Sequence, residues 1–240
     1  MPPRSQHPVA LVTGAAGQIG ARLVERFTEA GYAVAGLDLA DGDGILGCDI
    51  TDPAAVRATI DRVLAAHGRI DVLVHNAGVS AIGRFEDHDV ETHARVLAVN
   101  HLGPVALTQA ALPALREARG RVVVIGSVAG FAPVLGRPAY VGAKHAVTGL
   151  FEALRPELAV DGVGVTLVHP TFVAAPMAGT EGRATTGSQV TADEVARAVV
   201  EAVGRGRDRV LVGRTARLAW HVHRLAPNLY AKLMTRRLED

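Results

Sequence analysis

The chain alternates short apolar runs with segments of helical spacing along most of its 240 residues. Strands that alternate with helices indicate a doubly wound parallel sheet, because each helix returns the chain to the same end of the sheet. The pattern predicts an α/β fold of about seven strands, at residues 8–13, 32–38, 45–50, 71–78, 121–127, 163–170 and 209–213. Helices are predicted on both faces, at residues 18–30, 51–67, 86–117, 138–160 and 191–204.

Composition narrows the class of protein without identifying a function. We find neither a repeat nor an interdomain linker, so we expect one domain over residues 1–240, with an amphipathic tail at 214–240. The net charge of +1 argues against nucleic acid as a partner. The single cysteine, Cys48, excludes an internal disulfide, and no apolar run reaches the ~20 residues of a membrane span. We therefore expect a cytoplasmic protein.

The turn T-G-A-A-G-Q-I-G at residues 13–20 joins the first predicted strand to the first predicted helix. Glycine in such a turn permits positive φ, lets the backbone approach a pyrophosphate and lets the helix pack closely on the strand. The helix N-terminus supplies free N–H groups for the phosphates. The turn therefore predicts a dinucleotide site formed by Gly14, Gly17, Gln18, Ile19 and Gly20.

Asp38 ends the second predicted strand, where a carboxylate accepts hydrogen bonds from the adenosine ribose hydroxyls and repels a 2′-phosphate. The glycine turn contains no lysine or arginine, and neither does the position directly after Asp38. We therefore expect NAD rather than NADP as the cofactor. Asp49 and Ile50 close the third predicted strand; they line the adenine site, or Asp49 begins the next helix.

Ser127 ends the fifth predicted strand, and two further polar residues, Tyr140 and Lys144, follow it. Tyr140 and Lys144 are four residues apart, so on a helix they share one face. A cation about 4 Å from a phenol contributes roughly 4 kcal/mol at an effective dielectric of ~20. That energy lowers a tyrosine pKa by about 3 units from ~10, into the range of general acid–base catalysis. The spacing predicts a proton-transfer site.

Together with the sequence HNAG at 75–78 and Asn100, these features make residues 8–213 resemble the short-chain dehydrogenase/reductase family. The resemblance implies a Rossmann-like fold and hydride transfer to or from a nicotinamide. By resemblance, the serine binds the substrate oxygen, the tyrosine exchanges its proton, the lysine lowers the tyrosine pKa and holds the nicotinamide ribose, and the asparagine anchors a water of the relay. These roles fall on Ser127, Tyr140, Lys144 and Asn100, with Tyr140 and Lys144 also contacting the cofactor and Asn76, Ala77 and Gly78 beside the adenosine.

The chain departs from the family pattern at several positions. Gln18 stands where compact members usually have the middle glycine, and His75 replaces a more usual asparagine. The sixth predicted strand ends HPTFVAAPM, where the family commonly has PGxVxT. Ala175 therefore replaces a threonine that often bonds the nicotinamide carboxamide. We expect Pro170 and Val173 to contact the cofactor, with the carboxamide held by the backbone of 172–173 or by Thr171.

The loops beyond the strand ends are largely apolar and predict a small hydrophobic secondary alcohol or ketone as the substrate. They comprise residues 79–82, 131–135 and 172–177, and the glycine-punctuated stretch 178–189 resembles a mobile lid. The tail at 214–240 combines leucines with arginines, and Pro227 is expected to divide it into two helices. Three roles stay open for it: packing on its own or a neighbouring subunit, weak contact with a membrane surface, or a lid over the substrate.

The sequence favours an NAD-dependent alcohol dehydrogenase or ketoreductase. Alternatives are an NADPH-dependent carbonyl reductase and a non-catalytic nucleotide-sensing scaffold on the same fold. The resemblance also implies a homodimer or homotetramer formed through the helices at 86–117 and 138–160. We predict no metal site, because His221 and His223 lack further ligands.

Overall fold

The computed structural model describes residues 5–174 and 189–239. The strands are β1 (Val9–Thr13), β2 (Ala33–Asp38), β3 (Ile45–Gly47), β4 (Val72–His75), β5 (Arg121–Ile125), β6 (Gly164–Pro170) and β7 (Arg209–Val212). The helices are α1 (Gln18–Glu29), α2 (Pro53–His67), α3 (Val90–Leu97), α4 (Gly103–Ala118), α5 (Pro138–Ala159), α6 (Ala192–Gly204), α7 (Arg214–Leu225) and α8 (Pro227–Glu239). A π-helical turn, Ala98–Leu102, joins α3 to α4.

All seven strands pair in parallel in the order β3-β2-β1-β4-β5-β6-β7, which confirms the predicted doubly wound sheet. The strand order reverses between β1 and β4, and in such sheets ligands bind beyond the strand ends at this point. Side chains alternate across the sheet, so Leu11 packs on the α2, α4 and α5 face while Ala10 and Val12 pack on the α1 and α6 face. The two apolar layers fix the strand ends that carry the site.

The third strand is shorter than predicted, since β3 ends at Gly47 rather than at residue 50. The Asp49 carboxylate accepts hydrogen bonds from the backbone N–H and the hydroxyl of Thr51, and this local turn redirects the chain. Helix α2 begins after Asp52, whose side chain accepts a hydrogen bond from Ala54 N. The alternative in which Asp49 begins this helix is therefore wrong.

The tail forms two helices, α7 and α8, separated at Pro227 as predicted. Trp220 of α7 lies against the sheet end, with its ring 4.9 Å from the Phe131 ring and 4.4 Å from the Arg209 guanidinium carbon. Tyr230 of α8 is buried and donates a hydrogen bond to Pro133 O at 3.2 Å. The tail therefore packs on its own chain, which was one of the three roles left open. Throughout the described ranges, no helix is both long enough and apolar enough to cross a membrane.

Candidate active site

One cavity of about 1440 Å³ lies at the carboxyl ends of the strands. It runs from the glycine turn after β1, past the first turns of α5, to the tail helices α7 and α8. Ligand sites for a single small molecule usually measure about 300–1,000 Å³. The cavity is therefore large enough for two molecules side by side, and we treat the end beside α7 and α8 as its substrate half.

The glycine turn forms one end of this cavity. Gly14 adopts φ +66°, a left-handed conformation that favours glycine, and Asn76 Nδ2 donates to the carbonyl oxygens of Thr13 and Gly14 at 2.9 and 3.1 Å. A Cβ atom on Gly20 would lie only 1.9 Å from Gly14 O, so Gly20 serves the packing of α1 on the turn. No side chain of the described residues caps the N-terminus of α1, whose N–H groups face this end of the cavity.

Asp38 and Asp49 line the same end of the cavity. The Asp38 carboxylate is half-buried and accepts hydrogen bonds from Ala16 N at 2.9 Å and Leu39 N at 2.8 Å. These contacts hold it at the end of β2, beside the glycine turn. A carboxylate in this position is suited to accept hydrogen bonds from a ribose diol.

Ser127, Tyr140 and Lys144 meet at the middle of the cavity. Ser127 begins a short 3₁₀ turn after β5, and its hydroxyl accepts a hydrogen bond from Ala129 N at 3.1 Å. Tyr140 and Lys144 are both buried on one face of α5, with the Lys144 ammonium 5.6 Å from the centre of the Tyr140 ring. Lys144 Nζ donates to Ile125 O at 2.9 Å, which fixes it at the end of β5.

The pKa of Tyr140 differs from the sequence-based expectation. Burial raises the pKa of Tyr140 to about 12, although a hydrogen bond with Ser127 and the charge of Arg137 lower it in part. Burial also lowers the pKa of Lys144 to about 8. The expectation that Lys144 lowers the tyrosine pKa by about 3 units is therefore wrong for this structure, because desolvation of the phenol outweighs the Ser127 hydrogen bond and the Arg137 charge, and Lys144 adds no lowering of its own. At neutral pH Tyr140 keeps its proton.

Asn100 lies behind the cavity wall rather than in it. It belongs to the π-helical turn, and its Nδ2 donates to Val79 O at 2.8 Å and to Val96 O at 2.9 Å. Its Oδ1 has no hydrogen-bond partner among the described residues. A Cβ atom on Gly78 would lie 2.7 Å from this oxygen and 3.8 Å from Lys144 Nζ, so both groups border Gly78. The π turn thus places an unsatisfied acceptor beside Gly78, which Lys144 Nζ also borders.

His169, at the end of β6, contacts Ser127 and was not identified from the sequence. Its Nδ1 lies 3.0 Å from Ser127 O, and because a carbonyl only accepts, Nδ1 carries the proton in this contact. The ring is fully buried and packs edge-on against Phe131 at 5.3 Å. Burial lowers the pKa of His169 to about 4. At neutral pH the uncharged ring therefore fixes the backbone of Ser127.

His75, at the end of β4, is a second buried histidine that is uncharged at neutral pH. Its Nε2 lies 2.8 Å from Thr108 Oγ1, and burial, with a smaller contribution from the Lys144 charge, lowers the pKa of His75 to about 3. His75 stands where the family more usually has asparagine, and its hydrogen bond with Thr108 of α4 satisfies one nitrogen of the ring. The burial of an uncharged imidazole makes folding sensitive to acid.

We expect His75→Asn to reduce the acid sensitivity of folding. Between about pH 3 and 6.5 the unfolded chain binds a proton that folded His75 does not, so the free energy of unfolding falls as the pH falls. One such group contributes up to about 1.4 kcal/mol per pH unit. Urea unfolding across this pH range should therefore show a shallower slope for His75→Asn, while His7→Asn at an exposed position should retain the wild-type slope. Equal slopes for all three proteins would contradict the prediction.

Most residues predicted for the cofactor and the chemistry line the cavity. They are Gly14, Gly17, Gln18, Ile19, Asp38, Asp49, Ile50, Asn76, Ala77, Gly78, Ser127, Tyr140, Lys144, Pro170 and Val173. Gly20 and Asn100 lie outside the lining, for the packing reasons given above. Ala175 and residues 178–188 of the lid predicted at 178–189 lie outside the described residues, whereas Gln189 lines the cavity. Sequence reasoning missed Arg137, and it left a lid over the substrate as only one of three roles for the tail, whose lining residues include Leu218, Val222 and Tyr230.

Comparison with known proteins identifies the family. Residues 8–186 match the family model described as short chain dehydrogenase. The chain is 36% identical over 202 residues to "Dehydrogenase/reductase SDR family member 7B" of Xenopus laevis, a match that spans 79% of this chain and 62% of that protein. The rat protein of the same name is 31% identical over 265 residues, which span 97% of this chain and 82% of the relative.

Solved structures show the same fold. A short chain dehydrogenase from Burkholderia cenocepacia in complex with NADP superposes with a TM-score of 0.85 at 25% identity, covering 97% of this chain and 100% of that one. A short chain dehydrogenase/reductase from Burkholderia phymatum in complex with NAD has a TM-score of 0.77 at 26% identity, covering 91% and 95%. The chain belongs to the short-chain dehydrogenase/reductase family, and its fold is Rossmann-like.

Proposed function

We propose that this oxidoreductase transfers a hydride between NAD(H) and a hydrophobic secondary alcohol or ketone, with proton transfer through Ser127, Tyr140, Lys144 and Asn100. The observation that carries the proposal is that half-buried Ser127 and buried Tyr140 and Lys144 meet the glycine turn in one continuous cavity. Neighbours that bind NAD or NADP support the same class of cofactor.

The residues present fit a nicotinamide dinucleotide. The uncapped N-terminus of α1 and the glycines of the turn suit a pyrophosphate, and Asp38 suits the adenosine ribose. For the nicotinamide end of the cofactor, Thr171 offers a hydroxyl: its Oγ1 is buried, and it has no hydrogen-bond partner among the described residues. Thr171 also lines the cavity. This hydroxyl suits the carboxamide contact that the family places at the position of Ala175. When bound, the nicotinamide supplies or accepts the hydride.

The protein side chains would handle the proton and the developing charge. With a pKa of about 12, Tyr140 is a proton donor at neutral pH, which suits reduction of a carbonyl to an alcohol. The Ser127 hydroxyl, held by Ala129 N and by the His169 contact to its backbone, would stabilise the oxygen of the substrate. The Lys144 ammonium would return a proton to the phenol, and Asn100 Oδ1, an acceptor that also borders Gly78, would hold the water that resupplies a proton to Lys144.

Asp38 supports NAD over NADP, and its charge is the feature to test. Asp38→Asn keeps one oxygen acceptor for Ala16 N or Leu39 N but removes the charge that repels a 2′-phosphate. We expect the ratio of kcat/KM with NAD to that with NADP to fall at least about tenfold, because like charges placed together cost several kcal/mol. The exposed Asp61→Asn in α2 is the matched control and should leave the ratio unchanged. A wild-type preference for NADP would contradict the prediction and favour the NADPH-dependent alternative.

The substrate class follows from the substrate half of the cavity. Its lining is mainly apolar, with Val134 and Leu135 on one side and Leu218, Val222 and Leu233 of the tail on another. The tail thus contributes a wall beside the catalytic tyrosine, in support of its role as a cover for the substrate. A screen of NADH oxidation across ketones tests the proposal: aliphatic or alicyclic ketones should be reduced, whereas preferred turnover of sugars or small polar hydroxy acids would contradict it.

The non-catalytic alternative predicts different behaviour. A scaffold would bind NADH yet reduce none of these ketones, and Tyr140→Phe would leave its nucleotide binding and its cellular effect unchanged. A cytoplasmic location and a homodimer or homotetramer remain predictions from the sequence. Exposed Leu97 and Leu102, beside the junction of α3 and α4, support an interface there.

A further inference from the structure

The substrate half of the cavity contains one feature that a purely apolar substrate does not explain. Arg137 lines the cavity three residues before Tyr140, at the residue that precedes α5. Every other described residue that lines this half, from Val128 to Leu135 and along α7 and α8, is uncharged. The guanidinium is therefore an isolated positive charge in an apolar setting.

An aromatic ring, that of Phe172, packs against the Arg137 side chain. Its guanidinium carbon lies 5.8 Å from the centre of the Phe172 ring, within the range of a cation–π contact. Phe172 follows β6 and lines the same cavity. This contact restrains the guanidinium at the cavity wall, and the five N–H donors of an arginine are suited to two-point recognition of an anion.

Arg137 has no acidic partner in the part of the chain that the structure describes. The side chain is half-buried, and burial lowers the pKa of its guanidinium, yet none of the ion pairs or hydrogen bonds of residues 5–174 and 189–239 involves the guanidinium. Among the described titratable groups, Tyr140 alone interacts with it electrostatically. A partly desolvated charge without a counter-charge is costly, and a bound anion would offset that cost.

Resting on the proposed function, we infer that the substrate is an amphipathic anion. Its carboxylate or phosphate group would bind the Arg137 guanidinium, and its apolar part would lie along the wall formed by Leu218, Val222 and Tyr230 of α7 and α8. A reacting carbon close to Tyr140 would then be near the anionic group, because Arg137 and Tyr140 are only one helical turn apart. Arg137 is thus a specificity-determining residue.

Binding, rather than turnover, tests this inference, since the charge of Arg137 also lowers the pKa of Tyr140 and so affects catalysis. Calorimetric titration of the full chain with saturating NADH would compare dodecanoate, dodecyl phosphate and the neutral dodecanol below their micelle concentrations. We expect at least one anion to bind the wild type about tenfold or more tightly than dodecanol. Arg137→Gln should abolish this difference and leave dodecanol binding within about twofold. Arg137→Lys should retain part of this difference, because lysine keeps the positive charge but lacks the planar guanidinium that donates two parallel hydrogen bonds.

Arg217→Gln, at an exposed arginine outside the cavity lining, is the matched control and should bind all three probes as the wild type does. Tighter binding of dodecyl phosphate than of dodecanoate would assign a phosphate headgroup, and the reverse a carboxylate. The inference is overturned if no anion binds more tightly than dodecanol, if neither anion binds, or if the preference persists in Arg137→Gln. Reduction of a neutral ketone by the same preparations tests the proposed function separately, so the two failures are distinguishable.

Discussion

The substitution Tyr140→Phe is expected to reduce the rate of ketone reduction about 10²- to 10⁴-fold, the usual contribution of a positioned acid. The variant loses only the phenolic hydroxyl of a side chain that is 6% exposed, so the shape of the cavity is kept. Since the proton then has no donor beside the substrate oxygen, kcat should fall while the dissociation constant for NADH changes little. Single-turnover fluorescence of bound NADH measures the rate, and equilibrium titration measures the affinity.

Tyr32→Phe is the matched control for this variant. Tyr32 follows α1, packs against Phe27 at 5.2 Å and does not line the cavity. It should retain the wild-type rate. An equal loss in both variants would indicate a general effect on stability, and an unchanged rate in Tyr140→Phe would remove the proposed proton donor.

Gly20→Ala is expected to have the second large effect, on folding and cofactor affinity together. The added Cβ would lie 1.9 Å from Gly14 O and 2.8 Å from Ala15 Cα, and these are backbone atoms that no rotamer change can move away. Forcing extra volume into such a contact costs about 1–3 kcal/mol or more. Because relief requires α1 to separate from the glycine turn, NADH should bind at least about tenfold more weakly. Urea unfolding and fluorescence titration with NADH measure the two quantities.

The control for Gly20→Ala is the same change at Gly149 in α5. A Cβ there meets nothing within 4 Å, so alanine should be neutral or should stabilise the helix by up to about 1 kcal/mol. NADH binding by Gly149→Ala should match the wild type. Wild-type affinity in Gly20→Ala would show that α1 does not need its close approach to the turn.

The fold was predictable from the sequence because its signals are local. Apolar runs and helix signals recur along the chain, so the sheet and the division of the tail at Pro227 follow from neighbouring residues alone. The boundary at Asp49 was harder to predict, because Asp49 and Asp52 are both good helix-starting residues and only the turn at Thr51 decides between them.

The site was predictable as a set of residues but not in its electrostatics. The sequence spacing places Tyr140 beside Lys144, whereas the pKa of Tyr140 depends on how completely the two side chains are desolvated, which is a property of the packed chain. Arg137 was missed, and the role of the tail stayed open, for a related reason. Only tertiary packing brings α7 and α8, more than 70 residues along the chain, against the loop before α5.

The central claim is that Tyr140 protonates a substrate that receives a hydride in this cavity. Incubation with NADH carrying deuterium at the transferred position of C4, together with a panel of neutral and anionic aliphatic ketones, followed by mass spectrometry of the alcohols, tests it most directly. The account predicts one deuterium on the carbinol carbon of at least one product with the wild-type protein, and at least about a hundredfold slower labelling with Tyr140→Phe. Labelling at equal rates in both proteins, or no labelled alcohol from any ketone, would contradict it.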